Sequence, residues 1–174
     1  TGDIIWSKKN SAPFNSQIKI YKDRFFVVDF TNTLRCFSLE NGKELWNFQT
    51  ETPLIRSQKK LSIVIIEGVI YFNNSLGDIS AVDLNNGRLL WQLPTRSNAI
   101  LESAFSLETS DIIADENNLF FSNNKNQFFS IDIKSGSFNW ETTVNSNIRP
   151  TLIENFLISV SLEGYLIVID KITG

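Results

Sequence analysis

The feature that most constrains the fold is a glycine followed four residues later by a tryptophan, which occurs four times and includes every tryptophan of the chain. The four pairs are Gly2 with Trp6, Gly42 with Trp46, Gly87 with Trp91, and Gly136 with Trp140. The glycines are 40, 45 and 49 residues apart, and Gly174 follows 38 residues later. Periods of this length are typical of four-stranded propeller blades. We therefore interpret residues 1–174 as a single segment with repeat units 2–41, 42–86, 87–135 and 136–174.

Two columns of turn residues keep the same phase in every unit. Four residues before the glycine stand Asp83, Asp132 and Asp170, with Ser38 in the first unit. Short polar side chains at such positions accept hydrogen bonds from nearby backbone N–H groups, so we assign these aspartates to turns rather than to catalysis. Ten residues before the glycine, a second column consists of Asn32, Gly77, Asn126 and Gly164. These residue types accept the left-handed conformation of a tight hairpin.

Short apolar runs fill the intervals between these turns and predict the strands. The runs between the two turn columns are Leu34–Phe37, Ile79–Val82, Phe128–Ile131 and Leu166–Ile169. Two further apolar runs precede the hairpin in each unit, and the Gly-x-x-x-Trp segment supplies a fourth, outermost strand. Apolar residues at consecutive positions indicate sheets that are covered on both faces, as in stacked blades. The sequence thus predicts an all-β propeller with almost no helix, in which the tryptophans pack between blades.

Composition and charge exclude several functions. The formal net charge is −3, with lysines and arginines dispersed along the chain, which argues against a nucleic-acid partner. No apolar run approaches the length of a membrane span. The chain has no His and a single cysteine, Cys36. Cys36 occupies the same position of its repeat unit as Ala81, Ser130 and Val168 do in theirs, so we expect it to be a small buried side chain. We predict no bound cofactor or metal. Since Met is absent even from position 1, we expect a piece of a longer chain.

The segment Ala81–Trp91 resembles the PQQ-like repeat family, whose repeat places Asp four residues before Gly and Trp four residues after it. The pattern returns at Ser130–Trp140 and Val168–Gly174, whereas the first unit has Ser38 in place of Asp. The resemblance implies a propeller of about eight blades, of which this chain supplies four. Within the family, the chain is most similar to the outer-membrane β-barrel assembly lipoproteins of the BamB type, which are non-enzymatic.

That resemblance implies a periplasmic protein-binding scaffold, anchored at the outer membrane through residues outside this segment, whose partner is a barrel-assembly subunit. It also implies that Leu54, Ile55 and Arg56, in the loop Thr52–Ser57, contact the partner. Apolar residues beside an arginine are common in interface hot spots. Ile148-Arg149-Pro150 has the same local form. The alternative is half of a quinone-dependent dehydrogenase-like propeller whose catalytic residues lie outside these residues.

The two ends of a four-blade row raise the question of closure. An open row exposes two apolar blade faces, which soluble monomers rarely do. The first strand of the chain, a second copy, or residues beyond the segment would each complete the ring. We hypothesise a homodimer that forms a ring of eight blades. In this arrangement Asp3–Trp6 pairs as an outer strand beside Gly164–Asp170, from its own chain or from a neighbour.

Overall fold

Four antiparallel sheets follow one another along the chain in the computed structural model, which describes residues 2–52, 59–95 and 108–174. Each sheet is one blade, and its strands are hydrogen-bonded in sequence order. Blade 1 consists of β1 (Lys19–Tyr21), β2 (Arg24–Val28), β3 (Thr33–Ser38) and β4 (Glu44–Gln49). Blade 2 consists of β5 (Ile63–Ile66), β6 (Val69–Asn73), β7 (Ile79–Asp83) and β8 (Leu89–Leu93).

Blades 3 and 4 repeat this order, but the last blade has one strand fewer. Blade 3 consists of β9 (Ile113–Ala114), β10 (Asn118–Asn123), β11 (Gln127–Asp132) and β12 (Phe138–Thr142). Blade 4 consists of β13 (Thr151–Ile153), β14 (Phe156–Val160) and β15 (Leu166–Asp170). The described residues contain no helix. The all-β propeller of four-stranded blades predicted from the repeat is confirmed, and each complete blade takes its fourth strand from the following repeat unit.

The hairpin between the second and third strands of each blade depends on a residue with positive φ. The four residues of the predicted column have φ values of 58°, 89°, 61° and 92° for Asn32, Gly77, Asn126 and Gly164. A left-handed residue allows the chain to reverse tightly between two paired strands. The hairpins therefore have the conformation that the sequence predicts.

The hydrophobic core lies in three layers between consecutive blades. Phe26 and Leu34 of blade 1 cluster with Ile70 and Phe72 of blade 2. The next layer joins blades 2 and 3, and the third joins blade 3 to Leu157 and Ile169 of blade 4. Both faces of blades 2 and 3 are therefore covered. The far face of blade 4 is not covered, because these residues contain no fifth blade to pack against it.

A tryptophan and a glycine make the same contact at the three junctions between blades and where the first Gly-x-x-x-Trp segment meets blade 1. Each tryptophan ring lies on the glycine of the next repeat unit, so a Cβ added to Gly42, Gly87, Gly136 or Gly174 would come within 2.6–2.8 Å of the ring. Each indole Nε1 also donates a hydrogen bond to the carbonyl three residues before that glycine. The acceptors, at 3.0–3.2 Å, are Leu39, Leu84, Ile133 and Lys171. Only glycine fits beneath the ring, and it also has positive φ there.

The first Gly-x-x-x-Trp segment differs from the other three. Asp3–Trp6 forms no strand, and β15 pairs with β14 alone among the described residues. The expected pairing of Asp3–Trp6 with Gly164–Asp170 of its own chain is therefore wrong. The physical reason is the position of Trp6, which docks on Gly42 and stacks near Phe25 at 6.0 Å. These contacts hold the segment against blade 1, whereas β15 belongs to blade 4.

Candidate functional site

The predicted partner residues Leu54, Ile55 and Arg56 lie outside the described residues. Both flanks of their loop are described. Gln49 Nε2 donates to Thr52 Oγ1 at 3.0 Å on one side, and on the other Lys59 Nζ donates to the carbonyl oxygen of Asn147 at 2.8 Å. Because Asn147 precedes blade 4, the structure brings the loop between blades 1 and 2 into contact with the loop between blades 3 and 4.

The second loop carries the other Ile-Arg pair of the sequence. Ile148 is 47% exposed, and Arg149 is exposed beside it. Ser146 Oγ accepts a hydrogen bond from the Ile148 amide at 3.1 Å and donates one to the Val160 carbonyl oxygen at 2.7 Å. These bonds fix the start of the pair on blade 4. An exposed isoleucine and a guanidinium thus stand together on a held backbone.

A cavity of about 690 Å³ lies where the first strands of the four blades meet. Its polar lining includes Gln17, Lys19, Asp111 and Arg149, and the rest comes largely from the apolar side chains of β1, β5, β9 and β13. Gln17 Nε2 donates to Asp111 Oδ2 at 2.8 Å, which links the entry to blade 1 with the entry to blade 3. Arg149, which follows the exposed Ile148, is thus also part of the cavity lining.

Polar side chains join consecutive blades at the loop edge, the edge that carries the β2–β3 type hairpins and the connections between blades. Asn32 Nδ2 donates to the Glu51 carbonyl oxygen at 2.9 Å, and Asn32 Oδ1 accepts from the Ser75 amide at 3.1 Å. Asn73 Nδ2 donates to Thr109 Oγ1 at 2.6 Å. Because these bonds pass from one blade to the next, they hold the loop edge as one surface.

One buried carboxylate strengthens this edge in blade 1. Asp29 is fully buried and accepts hydrogen bonds from the Thr31 amide at 2.9 Å and from Arg35 Nε at 2.8 Å. Arg35 also contacts Glu44 at 3.2 Å. Burial opposes ionisation of Asp29, but the hydrogen bonds from Thr31, Arg35 and Thr33 outweigh it and hold the pKa of Asp29 below its ordinary value. The Asp29 carboxylate is thus ionised and accepts hydrogen bonds from the backbone amides of the β2–β3 hairpin.

The three aspartates of the repeat lie in turns at the opposite edge. Asp83 Oδ1 accepts from the amides of the residues two and three positions later, at 2.9 and 3.2 Å. Asp132 and Asp170 make the same pair of bonds. The amide and hydroxyl of Ser135 lower the pKa of Asp132, and the amides of Thr173 and Ile172 lower that of Asp170. Their carboxylate oxygens accept hydrogen bonds from the backbone and do not line the cavity.

Cys36 is fully buried in β3, where it packs in the layer between blades 1 and 2. Burial raises the pKa of its thiol to about 11. The thiolate is therefore scarce at neutral pH, and the side chain acts as a small apolar residue.

Another repeated column was missed from the sequence. Asp29, Asn74, Asn123 and Ser161 stand three residues before the left-handed residue of each hairpin. In the first three hairpins, the side-chain oxygen at this position accepts a hydrogen bond at 2.9 Å from the backbone amide two residues later. The constant three-residue spacing was the signal that could have revealed this column, because Asp, Asn and Ser all accept such bonds.

Within residues 2–52, 59–95 and 108–174, no three side chains of His, Cys, Asp or Glu are grouped to hold a metal ion. In the same ranges, no helix has the length and apolar character required to cross a membrane.

Comparison with known proteins relates the whole chain to one family. The family model described as outer membrane protein assembly factor BamB matches residues 1–174. BamB from Moraxella catarrhalis has a similar structure, with a TM-score of 0.85 at 17% identity. The match covers 100% of this chain and 54% of that one, so the chain spans about half the length of this relative. No curated protein sequence matches significantly.

Two other solved structures share the fold at lower identity. The computationally designed Ika4 protein has a TM-score of 0.75 at 12% identity, and the match covers 98% of this chain and 99% of that one. The quinohemoprotein alcohol dehydrogenase ADHIIG from Pseudomonas putida HK5 has a TM-score of 0.73 at 10% identity, and the match covers 96% of this chain and 34% of that one. At such identities the likeness concerns the fold alone.

Proposed function

Since the chain belongs to the family of the outer membrane protein assembly factor BamB, we propose that it is a non-catalytic propeller that binds a protein partner in the periplasm. The partner that this family suggests is a subunit of an outer-membrane barrel-assembly machinery. Anchoring at the outer membrane through residues outside this segment is part of the same proposal. The match of the family model over residues 1–174 supports it.

The observation that carries the proposal is the contact between Lys59 and Asn147. It joins the two loops that contain the Ile-Arg pairs of the sequence, Ile55-Arg56 and Ile148-Arg149. In the described loop, the isoleucine is half-exposed and the arginine is exposed. An apolar side chain beside a guanidinium suits a partner segment that presents an apolar residue next to a carboxylate, because arginine binds carboxylates in a bidentate manner.

The alternative, half of a quinone-dependent dehydrogenase-like propeller, rests on the shared fold alone. The likeness to the Pseudomonas putida dehydrogenase stands at 10% identity and spans 34% of that chain. Asp83, Asp132 and Asp170, the aspartates of the repeat, accept hydrogen bonds from backbone amides at the edge opposite the loops. No contact of the described residues favours the alternative over protein binding.

The test measures binding of the chain to the purified barrel-inserting subunit from the same organism by biolayer interferometry. Arg56→Glu and Arg149→Glu should each weaken binding by about 30-fold, the effect of removing one hot-spot side chain. Arg88→Glu is the matched control, because Arg88 is also exposed but lies in the β7–β8 turn at the opposite edge. Equal affinities for the wild type and all three variants, or no binding by the wild type, would contradict the proposal.

A further inference from the structure

A second cavity, of about 230 Å³, lies between blades 2 and 3 at the edge opposite the loop edge. Blades 2 and 3 each have a neighbouring blade on both sides, so this junction lies within the row rather than at one of its ends. The volume exceeds the roughly 150 Å³ cavity that holds a benzene molecule, so a planar side-chain group fits. Its lining includes Ile66, Val69, Leu90 and Trp91 of blade 2, and Ile133 and Lys134 of blade 3.

An arginine crosses the equivalent place between blades 1 and 2. Arg24 is the first residue of β2, as Val69 is of β6, and the two strands pair with the following strand in the same register. Arg24 Nη1 donates to the Asn85 carbonyl oxygen of blade 2 at 3.3 Å. Val69 is shorter and has no donor. The cavity therefore lies where the first junction has its arginine.

A cation also crosses the junction between blades 3 and 4 at this edge. Lys171, in the turn after β15, places its Nζ 3.1 Å from Oδ2 of Asp115, in the turn before β10. Among the described residues, no salt bridge joins blades 2 and 3. The middle junction thus differs from both of its neighbours in that it has no cation of its own here.

The cavity between blades 2 and 3 offers hydrogen-bond acceptors. Lys134 follows its turn aspartate by two residues, as Asn85 does, so the Lys134 carbonyl oxygen corresponds to the acceptor of Arg24. Tyr71 also lines the cavity and donates from its hydroxyl to the Ile133 carbonyl oxygen at 3.2 Å. Because the phenolic proton is used in that bond, the phenolic oxygen can accept a bond from an incoming donor.

The charges around the cavity favour a cation. Glu67 is exposed and belongs to the lining. Burial raises the pKa of the Tyr71 hydroxyl, and the negative charges of Glu67 and Asp132 raise it further, so the potential at the phenol is negative. The Trp91 ring adds an aromatic face, which attracts cations. Lys134 is the opposing charge in the lining, and its removal should strengthen the binding of a cation.

We propose that this cavity binds an arginine side chain of a partner protein, whose guanidinium takes the place that Arg24 has at the first junction. A guanidinium is planar, donates to several acceptors at once and stacks on aromatic rings. A polypeptide also suits the surroundings, because β8 is the last strand of its sheet and an exposed strand edge accepts an extended segment. Leu90, which lines the cavity, and its neighbour Leu89 are 42% and 39% exposed there. The surface lies opposite the loop edge, so this inference does not rest on the proposed function.

The first experiment uses N-acetyl-arginine amide as the probe. The ¹⁵N-labelled protein is titrated, and its four indole N–H signals are followed by NMR, with the Trp91 signal assigned from Trp91→Phe. The Trp91 signal should shift with a millimolar dissociation constant. N-acetyl-citrulline amide has a similar shape without the charge, and should bind about tenfold more weakly or worse because charge-assisted hydrogen bonds are lost.

This comparison needs no variant for its outcome. Equal binding of the two amides, or shifts that leave the Trp91 signal unchanged, would overturn the proposal. Free L-arginine that binds about tenfold more tightly than its N-acetyl amide would assign the cavity to the amino acid instead of a protein segment, and would overturn it as well.

The second experiment alters the cavity. Val69→Arg should weaken binding of N-acetyl-arginine amide about tenfold or more, because the new side chain fills the site as Arg24 does at the first junction. Leu45→Arg is the matched control, since it adds the same charge at a position 44% exposed on the outer strand of blade 1. Unweakened binding by a folded Val69→Arg would contradict the proposal.

Two surface variants remain informative if Val69→Arg fails to fold. Glu67→Gln should weaken binding of the arginine amide by about two- to fivefold, and Lys134→Gln should strengthen it by a similar factor, the worth of one exposed charge pair. Binding of the citrulline amide should change in neither variant. If the two variants leave the affinity for the arginine amide unchanged, or shift it in the same direction, the cavity does not hold the guanidinium.

Discussion

The contact between Gly87 and Trp46 gives the sharpest test of how the blades are joined. In Gly87→Ala the new Cβ would lie 2.6 Å from Trp46 Cε3, about 1 Å closer than carbon atoms normally approach. The ring cannot move away without weakening its 3.2 Å hydrogen bond to the Leu84 carbonyl oxygen. Overpacking of this kind costs about 1–3 kcal/mol, and the positive φ of 73° adds about 1–2 kcal/mol for any residue with a Cβ.

The matched control is Gly68→Ala in the same blade. Gly68 has a φ of 81°, but nothing lies within 4 Å of its added Cβ. The free energy of unfolding should fall by only about 1–2 kcal/mol in this variant, the cost of the positive φ alone, whereas it should fall by about 2–5 kcal/mol in Gly87→Ala. The free energy of unfolding is measured in urea at equal protein concentration, since association would shift the midpoint.

A double-mutant cycle completes the test. In a Trp46→Leu background the ring is absent, so Gly87→Ala should cost no more than Gly68→Ala, and the coupling energy should be about 1–3 kcal/mol. If Gly87→Ala and Gly68→Ala are equally destabilising when Trp46 is present, the tryptophan ring is not what requires glycine at position 87, and the proposed packing of the junction is wrong.

Three further predictions follow from single contacts. The pKa of Asp29 is lowered although burial opposes ionisation, so the ionised carboxylate stabilises the fold above about pH 4, and this contribution disappears as the pH falls. In urea titrations, Asp29→Asn should be less stable than the wild type by about 1–3 kcal/mol at pH 7, and its stability should depend less on acid pH. The thiol of Cys36, with a pKa of about 11, should react with a thiol reagent at pH 8 only after unfolding, and fast labelling of the native protein would contradict its burial. Trp140→Phe should lose about 1 kcal/mol in chemical unfolding, because the indole bond to the Lys171 carbonyl oxygen disappears; an unchanged midpoint would count against that bond.

Much of the fold was readable because a few backbone conformations accept few residue types. A tight hairpin needs a left-handed residue, and Asn and Gly repeat at that place in every unit, so the hairpins and the strands beside them could be located. The sequence did not reveal which glycine each tryptophan contacts. Trp6 and Gly2 are neighbours in the sequence pattern, but the ring lies on Gly42, because the fourth strand of one blade faces the turn of the next.

The ends and the site were harder to predict. Asp3–Trp6 has the sequence of a fourth strand but forms none, because a strand requires a neighbour and the segment is held on blade 1. Gln17, Ser62, Asp111 and Arg149 surround one cavity, and each stands 15 residues before the left-handed hairpin residue of its unit. Their side chains differ from unit to unit, so residue type alone did not mark this position as a shared one. The role of Leu54, Ile55 and Arg56 stays a prediction.

The junction of tryptophan and glycine also determines how the fold opens. Since each core layer joins two consecutive blades, the stability of the chain approximates a sum of nearest-neighbour terms, and opening an inner blade breaks two layers. Blade 4 is held by one layer. The local opening that lets its amides exchange with solvent should therefore require less free energy than the openings of blades 2 and 3.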